Sequence, residues 1–338
     1  MPTETIEPKQ PVIQLNSPGA GKSAMWVLAA VIVGFMLPVC SCAVLMVAGI
    51  TGLGFLGSSS TTSSTGTGDA VAIVKVEGTI SSGDKEDYAA GAVSGMVIED
   101  LRQAAEDATV KAIVLRVDSP GGTVTGSAQI YEALLEMEKP VVVSMGGVAA
   151  SGGYYVSAPA DFIYARADTV TGSLGVIMTL YNAEELISEI GVDVITITSG
   201  PNKSMGSSWD EMTPEQLEIF NQFIDESYND FVQIVADGRG LDVERVRELA
   251  DGRIYSGRQA VDNGLADGLG NLEDAVQKAA DMGGITGKPR IIEYQHIPPF
   301  EQLLFGISSR IVSGEADQII ETFTKFTTPS IEYRYVGP

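Results

Sequence analysis

The sequence predicts an α/β fold: a mostly parallel sheet covered by helices, preceded by one transmembrane helix. Two observations carry this. From residue 70 onward, short β-branched runs alternate with stretches of helical spacing, and that alternation builds parallel sheets with helices outside them. Ahead of it, residues 25–56 carry no charge, over a length beyond the ~20 apolar residues that a membrane-spanning helix needs.

The elements follow in order. Residues 1–24 are polar, with Glu4, Glu7, Lys9 and Lys22, and read as a disordered tail. Their end, "SPGAGKS", is not a phosphate loop, because Asn16 stands where the motif needs glycine and no strand precedes it. Residues 25–56 read as the transmembrane anchor. Lys9 and Lys22 precede the run and the first charge after it is Asp69, so the expected orientation is N-terminus in the cytoplasm and the rest outside. A cleaved signal peptide and a lipid on Cys40 or Cys42 are the rivals. The run is long and lacks an A-x-A site, and the residues beyond the cysteines stay apolar. Residues 57–69, "GSSSTTSSTGTGD", form a linker.

A globular domain spans 70–283. The spacing predicts strands over 70–80, 112–118, 141–145 and 194–200. It predicts helices over 93–107, 124–138, 214–237, 242–250, 257–263 and 272–281. Residues 284–338 mix apolar patches with prolines, and the sequence assigns them no element.

Composition excludes several functions. With 44 acidic and 21 basic residues the net charge is -23, a surface that repels nucleic acid. Two cysteines inside an apolar run make no disulfide framework. One histidine, His296, leaves no ligand set for zinc. No metal or cofactor is expected.

The chemistry centres on "VAASGGYYVSAPAD", residues 148–161, where Ser151 sits among small residues after a strand. The following residues can form a helical turn, so Ser151 would stand at a helix N-terminus, where N–H groups suit a developing oxyanion. Gly152 would let a backbone N–H approach a carbonyl. "DSPGG", residues 118–122, is the candidate for a second donor or a plain βα turn; the sequence does not separate the two. A serine needs a base. A histidine triad would have to use His296, in a segment with no other active-site character. A lysine is the alternative, provided burial keeps it neutral. Of ten lysines, Lys203 in "TSGPNKSMGSSWDEM" follows a predicted strand end and has no carboxylate within six residues. A solvated loop lysine would look the same.

The pieces "VDSPGGTV", "VSMGGVAASGGYYVSAPADFIYA", "TVTGSLGVIM", "TITSGPNKSM", "EMTPEQ" and "ADGRIYSGRQAVDNGLADGLG" resemble, in order and spacing over roughly 70–275, membrane-anchored signal peptide peptidases of the SppA type, serine–lysine peptidase family S49. The resemblance implies a crotonase/ClpP-like spiral of ββα units. It implies Ser151 as nucleophile, Lys203 as general base, Ser173 of "TGSLGV" as the residue positioning that lysine, and Gly122 and Gly152 as oxyanion donors. It further implies a homo-oligomer with active sites at subunit interfaces, and remnant signal peptides as substrates at the cell membrane. Asp118 is expected to cap its turn, and Tyr154 and Tyr155 to pack rather than wall the cleft. Two alternatives remain: a crotonase-type acyl-CoA enzyme, and a catalytically silent membrane scaffold of the same fold.

Overall fold

The structure is a computed structural model; it describes the backbone of 62–63 and residues 68–83, 91–294 and 331–337. The chain divides into two units, 1–58 and 59–338. The apolar run 25–56, Cys40, Cys42 and His296 lie outside the described residues. Among the described residues no helix is long and apolar enough to cross a membrane.

After β1 (Thr62–Ser63) comes β2 (Ala70–Glu77), whose first five residues are all buried, as a strand covered on both faces requires. Two short strands, β3 (Ile80–Ser81) and β4 (Ala92–Val93), lead to helix α1 (Ser94–Glu106). The pattern recurs with a long strand, β5 (Val110–Ser119), a short one, β6 (Gly121–Thr123), and α2 (Val124–Leu135). It starts again with β7 (Val141–Ala150) and α3 (Gly152–Ser157), then β8 (Phe162–Ala165), β9 (Val170–Gly172) and β10 (Ile177–Met178). A helical excursion follows, α4 (Glu184–Glu189), α5 (Pro214–Arg239) and α6 (Val243–Leu249). The chain then returns through β11 (Ile254–Ser256), α7 (Gly257–Asp262), β12 (Gly268–Leu269), α8 (Leu272–Met282), β13 (Arg290–Glu293) and β14 (Ile331–Arg334).

Strands β13, β2, β5, β7 and β8 pair in parallel, in that order. Alternation along them serves two cores. On one face Ala70, Ala72, Val74 and Val76 join the main cluster with Leu101, Ile130, Tyr154 and Val235 from the helices. On the other, Val71, Ile73, Ala112 and Val114 pack on Ala275, Ala279 and Ala280 of α8. Pro120 breaks the course of β5, and the chain passes into a second, five-stranded sheet in the order β10-β14-β6-β3-β4. Ser151, Ser173, Gly122 and Gly152, four of the candidate residues, lie where strands of the two sheets meet, whereas Lys203 does not.

The structure departs from the sequence expectation at one strand. Residues 192–198 run without strand pairing, with Ile195 84% and Ile197 93% exposed. The β-branched pattern is real, but a strand exists only against a partner, and this segment has none among the described residues. Helix α4, the strands of two to four residues, and the strands after 283 carried no periodic signal.

Candidate active site

β7 delivers Ser151. Its last residues, Val148–Ala150, pair in parallel with β9, and the Ser151 N–H donates to the Gly172 carbonyl oxygen at 2.8 Å. Ser151 caps α3 at φ 54, ψ -116. A non-glycine residue there costs about 1–3 kcal/mol and persists only when its surroundings impose it. Here the β9 bond on one side and the Tyr155 N–H, donating to the Ser151 carbonyl oxygen at 2.8 Å on the other, impose it. A sharp strand-to-helix turn of this kind presents a nucleophile. Ser151 is 1% exposed, and its Oγ has no hydrogen-bond partner among the described residues.

The glycines around it are there for clearance. A methyl group at Gly152 would lie 2.6 Å from Ser127 Oγ and 3.0 Å from the Tyr333 carbonyl oxygen. Gly121, at φ 93, passes so close that a methyl there would sit 2.5 Å from Gly152 N and would overrun the Tyr333 carbonyl oxygen. Gly122 leaves no room against the Ile80 backbone. The N–H of Gly122 has a definite target. The Tyr335 N–H donates to the Pro120 carbonyl oxygen at 2.7 Å. Bonded pairs in an antiparallel ladder recur at every second residue, and two residues along, Gly122 faces Tyr333. One peptide carbonyl, that of Tyr333, thus lies against Gly121, Gly122 and Gly152, next to Ser151.

Ser173 follows β9 at φ 50, its N–H donating to the Arg253 carbonyl oxygen at 2.8 Å. It lines a cavity of about 620 Å³ with Tyr228, Asp251, Gly252 and Tyr335. The Arg253 guanidinium beside Asp251 holds that carboxyl down at about 2.

Lys203 lies in the exposed loop after the unpaired segment, its backbone N–H donating to the Gly200 carbonyl oxygen at 3.2 Å. Its ammonium group has no partner among the described residues, and no hydrogen bond joins it to Ser151. Most of the other described lysines are engaged. Lys75 pairs with Glu293 at 3.1 Å and Lys111 with Asp69 at 3.7 Å. Lys139 donates to the Ala104 and Asp107 carbonyl oxygens, both at 2.7 Å, and burial lowers its pKa. Lys278 lies 4.6 Å from the Phe162 ring centre.

Asp118 does not cap its own turn. Its Oδ1 accepts from the Val148 N–H at 3.0 Å and so braces the strand that carries Ser151. Tyr154 packs as expected, its hydroxyl donating to the Leu265 carbonyl oxygen at 2.8 Å. Tyr155 packs as well, buried in the main core, where it meets Tyr131, Phe231 and Tyr333 in an aromatic cluster. Sequence reasoning did not reach Tyr333. Its strand, "IEYR", has no signature except the partner it pairs with.

Comparison with known proteins fits this geometry. The model of peptidase family S49 matches residues 133–286, and that of Clp protease matches 85–162. A Synechocystis sp. protein carrying a protease name is 41% identical over 223 residues, covering 65% of this chain and 77% of the relative. The chain belongs to peptidase family S49. An Enterococcus faecium protein named as signal peptide peptidase SppA is 37% identical over 251 residues, covering 71% of this chain and 73% of its own. Protease 4 of Salmonella typhi is 39% identical over 220 residues, 64% of this chain and 35% of the relative. This S49 chain is an SppA-type serine peptidase with a ClpP-like α/β fold, and the acyl-CoA and silent-scaffold alternatives fall away.

Proposed function

We propose that this S49 peptidase is a membrane-anchored endopeptidase whose nucleophile is Ser151 and whose base is Lys203 supplied by a neighbouring copy of the chain. The observation that carries the reading is the state of Ser151: a strained strand-to-helix turn, a buried hydroxyl without a partner, and a peptide carbonyl lying against Gly122 and Gly152.

The neutral Lys203 amine takes the proton of Ser151 Oγ as the oxygen attacks a peptide carbonyl carbon. The Gly122 and Gly152 N–H groups receive the oxyanion. Lys203 then gives the proton to the leaving amine, and water hydrolyses the serine ester. Ser173 positions the lysine. Delivery between copies is supported by three facts. Among the described residues Ser151 Oγ is unpartnered, Lys203 is unpaired, and Ile195 and Ile197 of the segment leading to Lys203 are left uncovered. The uncharged run 25–56 supports a single anchor with the peptidase domain outside the cytoplasm. The name of the Enterococcus relative specifies signal peptides, and remnants of these in the membrane fit an enzyme tethered at that surface.

The test is Ser151→Ala and Lys203→Ala, each inactive alone on apolar signal-peptide fragments. Mixed and reassembled, they should recover activity, because some interfaces then unite an intact serine with an intact lysine. Near-wild-type hydrolysis by either single variant overturns the pair; inactive mixtures overturn its delivery between copies.

A further inference from the structure

β7 reaches Ser151 through a bulge. On its β5 side, Val117 faces Met145 and Ser119 faces Ala149, so a single residue of β5 spans three of β7. On the other side β7 changes partner, from β8 at Val142–Ser144 to β9 at Val148–Ala150. A bulge re-aims its strand and takes backbone groups out of the regular ladder. Here side chains answer them. Asp118 Oδ1 accepts from the Val148 N–H at 3.0 Å. The Thr169 hydroxyl donates to the Gly146 carbonyl oxygen at 2.7 Å, and the Thr171 hydroxyl donates to the Ala149 carbonyl oxygen at 2.6 Å. Both threonines are fully buried.

The two threonine bonds lie at opposite ends of the bulge and differ in what they reach. Thr169 holds Gly146, where β7 leaves β8. Thr171 holds Ala149, two residues before Ser151, and is itself two residues before Ser173. Its bond is therefore a rung between β7 and β9, equally far from both serines. Such a rung fixes how far β9 runs along β7, and so the spacing of the two strand ends. It also grips the strand just ahead of the Ser151 turn at φ 54, a conformation that only its surroundings maintain.

We propose that Thr171 is a positioning residue of this peptidase, whose hydroxyl keeps Ser151 and Ser173 in register. The inference rests on the roles proposed above for those two serines. Thr171 has no exposed surface to offer a peptide, so its loss falls on the chemical step and leaves substrate binding alone. Valine keeps the branched shape and removes the donor; serine keeps the donor.

The experiment uses the full chain and three readouts: steady-state hydrolysis of an apolar signal-peptide fragment, the rate of fluorophosphonate labelling at Ser151, and the urea midpoint. In Thr171→Val, kcat and the labelling rate should both fall about 10- to 100-fold, the scale of a small misplacement of a reacting group, with KM little changed. Thr171→Ser should recover most of both. Thr169→Val deletes a bond of the same kind at the far end of the bulge; it should lower the urea midpoint as Thr171→Val does and keep most of kcat. If the two valine variants lose kcat in step with their midpoints, Thr171 is only structural and the proposal falls. Unchanged kcat in Thr171→Val, or no recovery in Thr171→Ser, overturns it too. Hydrolysis that survives in Ser151→Ala is a separate failure: it defeats the nucleophile itself, and this proposal with it.

Discussion

Ser151 and Ser173, both at positive φ, stand side by side. Ser151 follows β7, Ser173 follows β9, and the Ser151 N–H donates to the carbonyl of Gly172, the residue just before Ser173. Two strained serines at adjacent strand ends are a cost that packing alone does not repay. Ser151→Ala removes a buried hydroxyl with no partner, whose desolvation costs about 1–3 kcal/mol. We expect hydrolysis to be lost and the urea midpoint to rise. A fall in the midpoint would mean that the hydroxyl is bonded in the folded protein.

Ser173→Gly should stabilise the fold by about 1 kcal/mol, because glycine adopts positive φ without steric penalty. It should also lower kcat, since the hydroxyl is gone. Denaturant unfolding and steady-state kinetics on the same preparation separate the two effects; unchanged kcat removes Ser173 from the site.

The glycines differ sharply in what a methyl would meet. Gly122→Ala would force Ile80 backbone atoms aside. We expect a loss of activity of about 10²–10³, as for loss of an oxyanion donor, together with lower stability. Gly147→Ala is the control: the nearest atom is Asp118 Oδ1 at 3.7 Å, an ordinary contact. That variant should unfold and cleave like the wild type, within measurement error.

Asp118 should matter through Val148. Asp118→Asn keeps an oxygen for the Val148 N–H, whereas Asp118→Ala leaves that donor unanswered at a cost of about 1 kcal/mol. The alanine variant should lose kcat with an unchanged pH profile, and the asparagine variant should recover most of it. A shifted pH profile in Asp118→Ala would point to a direct role in proton transfer.

The Asp251–Arg253 pair next to Ser173 sets a pH expectation. The carboxyl sits at about 2, below its ordinary 3.8, because Arg253 hydrogen-bonds the charged form. A depressed pKa stabilises the fold above pH 3.8 and is lost only as pH falls from there toward 2. The pair is therefore intact wherever the enzyme is assayed near neutrality. Activity should still decline on acidification, because a lysine base works only when deprotonated. Asp251→Asn should leave that decline where it is; if the acid limb moves with the substitution, the limb belongs to Asp251.

Much of the fold was legible because its central strands are buried on both faces. Runs such as "AIVLRVD" and "VVVSM" admit few other readings, and several later helices begin at capping residues such as Thr213, Asp242 and Asn271. Legibility failed where structure depends on a partner distant in sequence. "VITITSG" has the composition of a strand but no neighbour to pair with among the described residues, and "IEYR" has an ordinary composition yet becomes a strand between β6 and β10. The motif around Ser151 was visible as small residues after a strand. The positive φ that aims its hydroxyl was not, since serine carries no local preference for it. Lys203 stood out in sequence because nothing nearby paired with it, and among the described residues its side chain is still without a partner.

β14 belongs to the same chain as the two strands it joins, and a tethered segment does not wash away. Its occupancy is set by an effective concentration, which for such intramolecular arrangements is on the order of millimolar, and is indifferent to how dilute the protein is. A peptide arriving from outside must match that local concentration before it is seen at all. Diluting the protein therefore leaves the pairing of β14 with β6 and β10 unchanged, whereas a strand supplied by a separate chain would be lost on dilution.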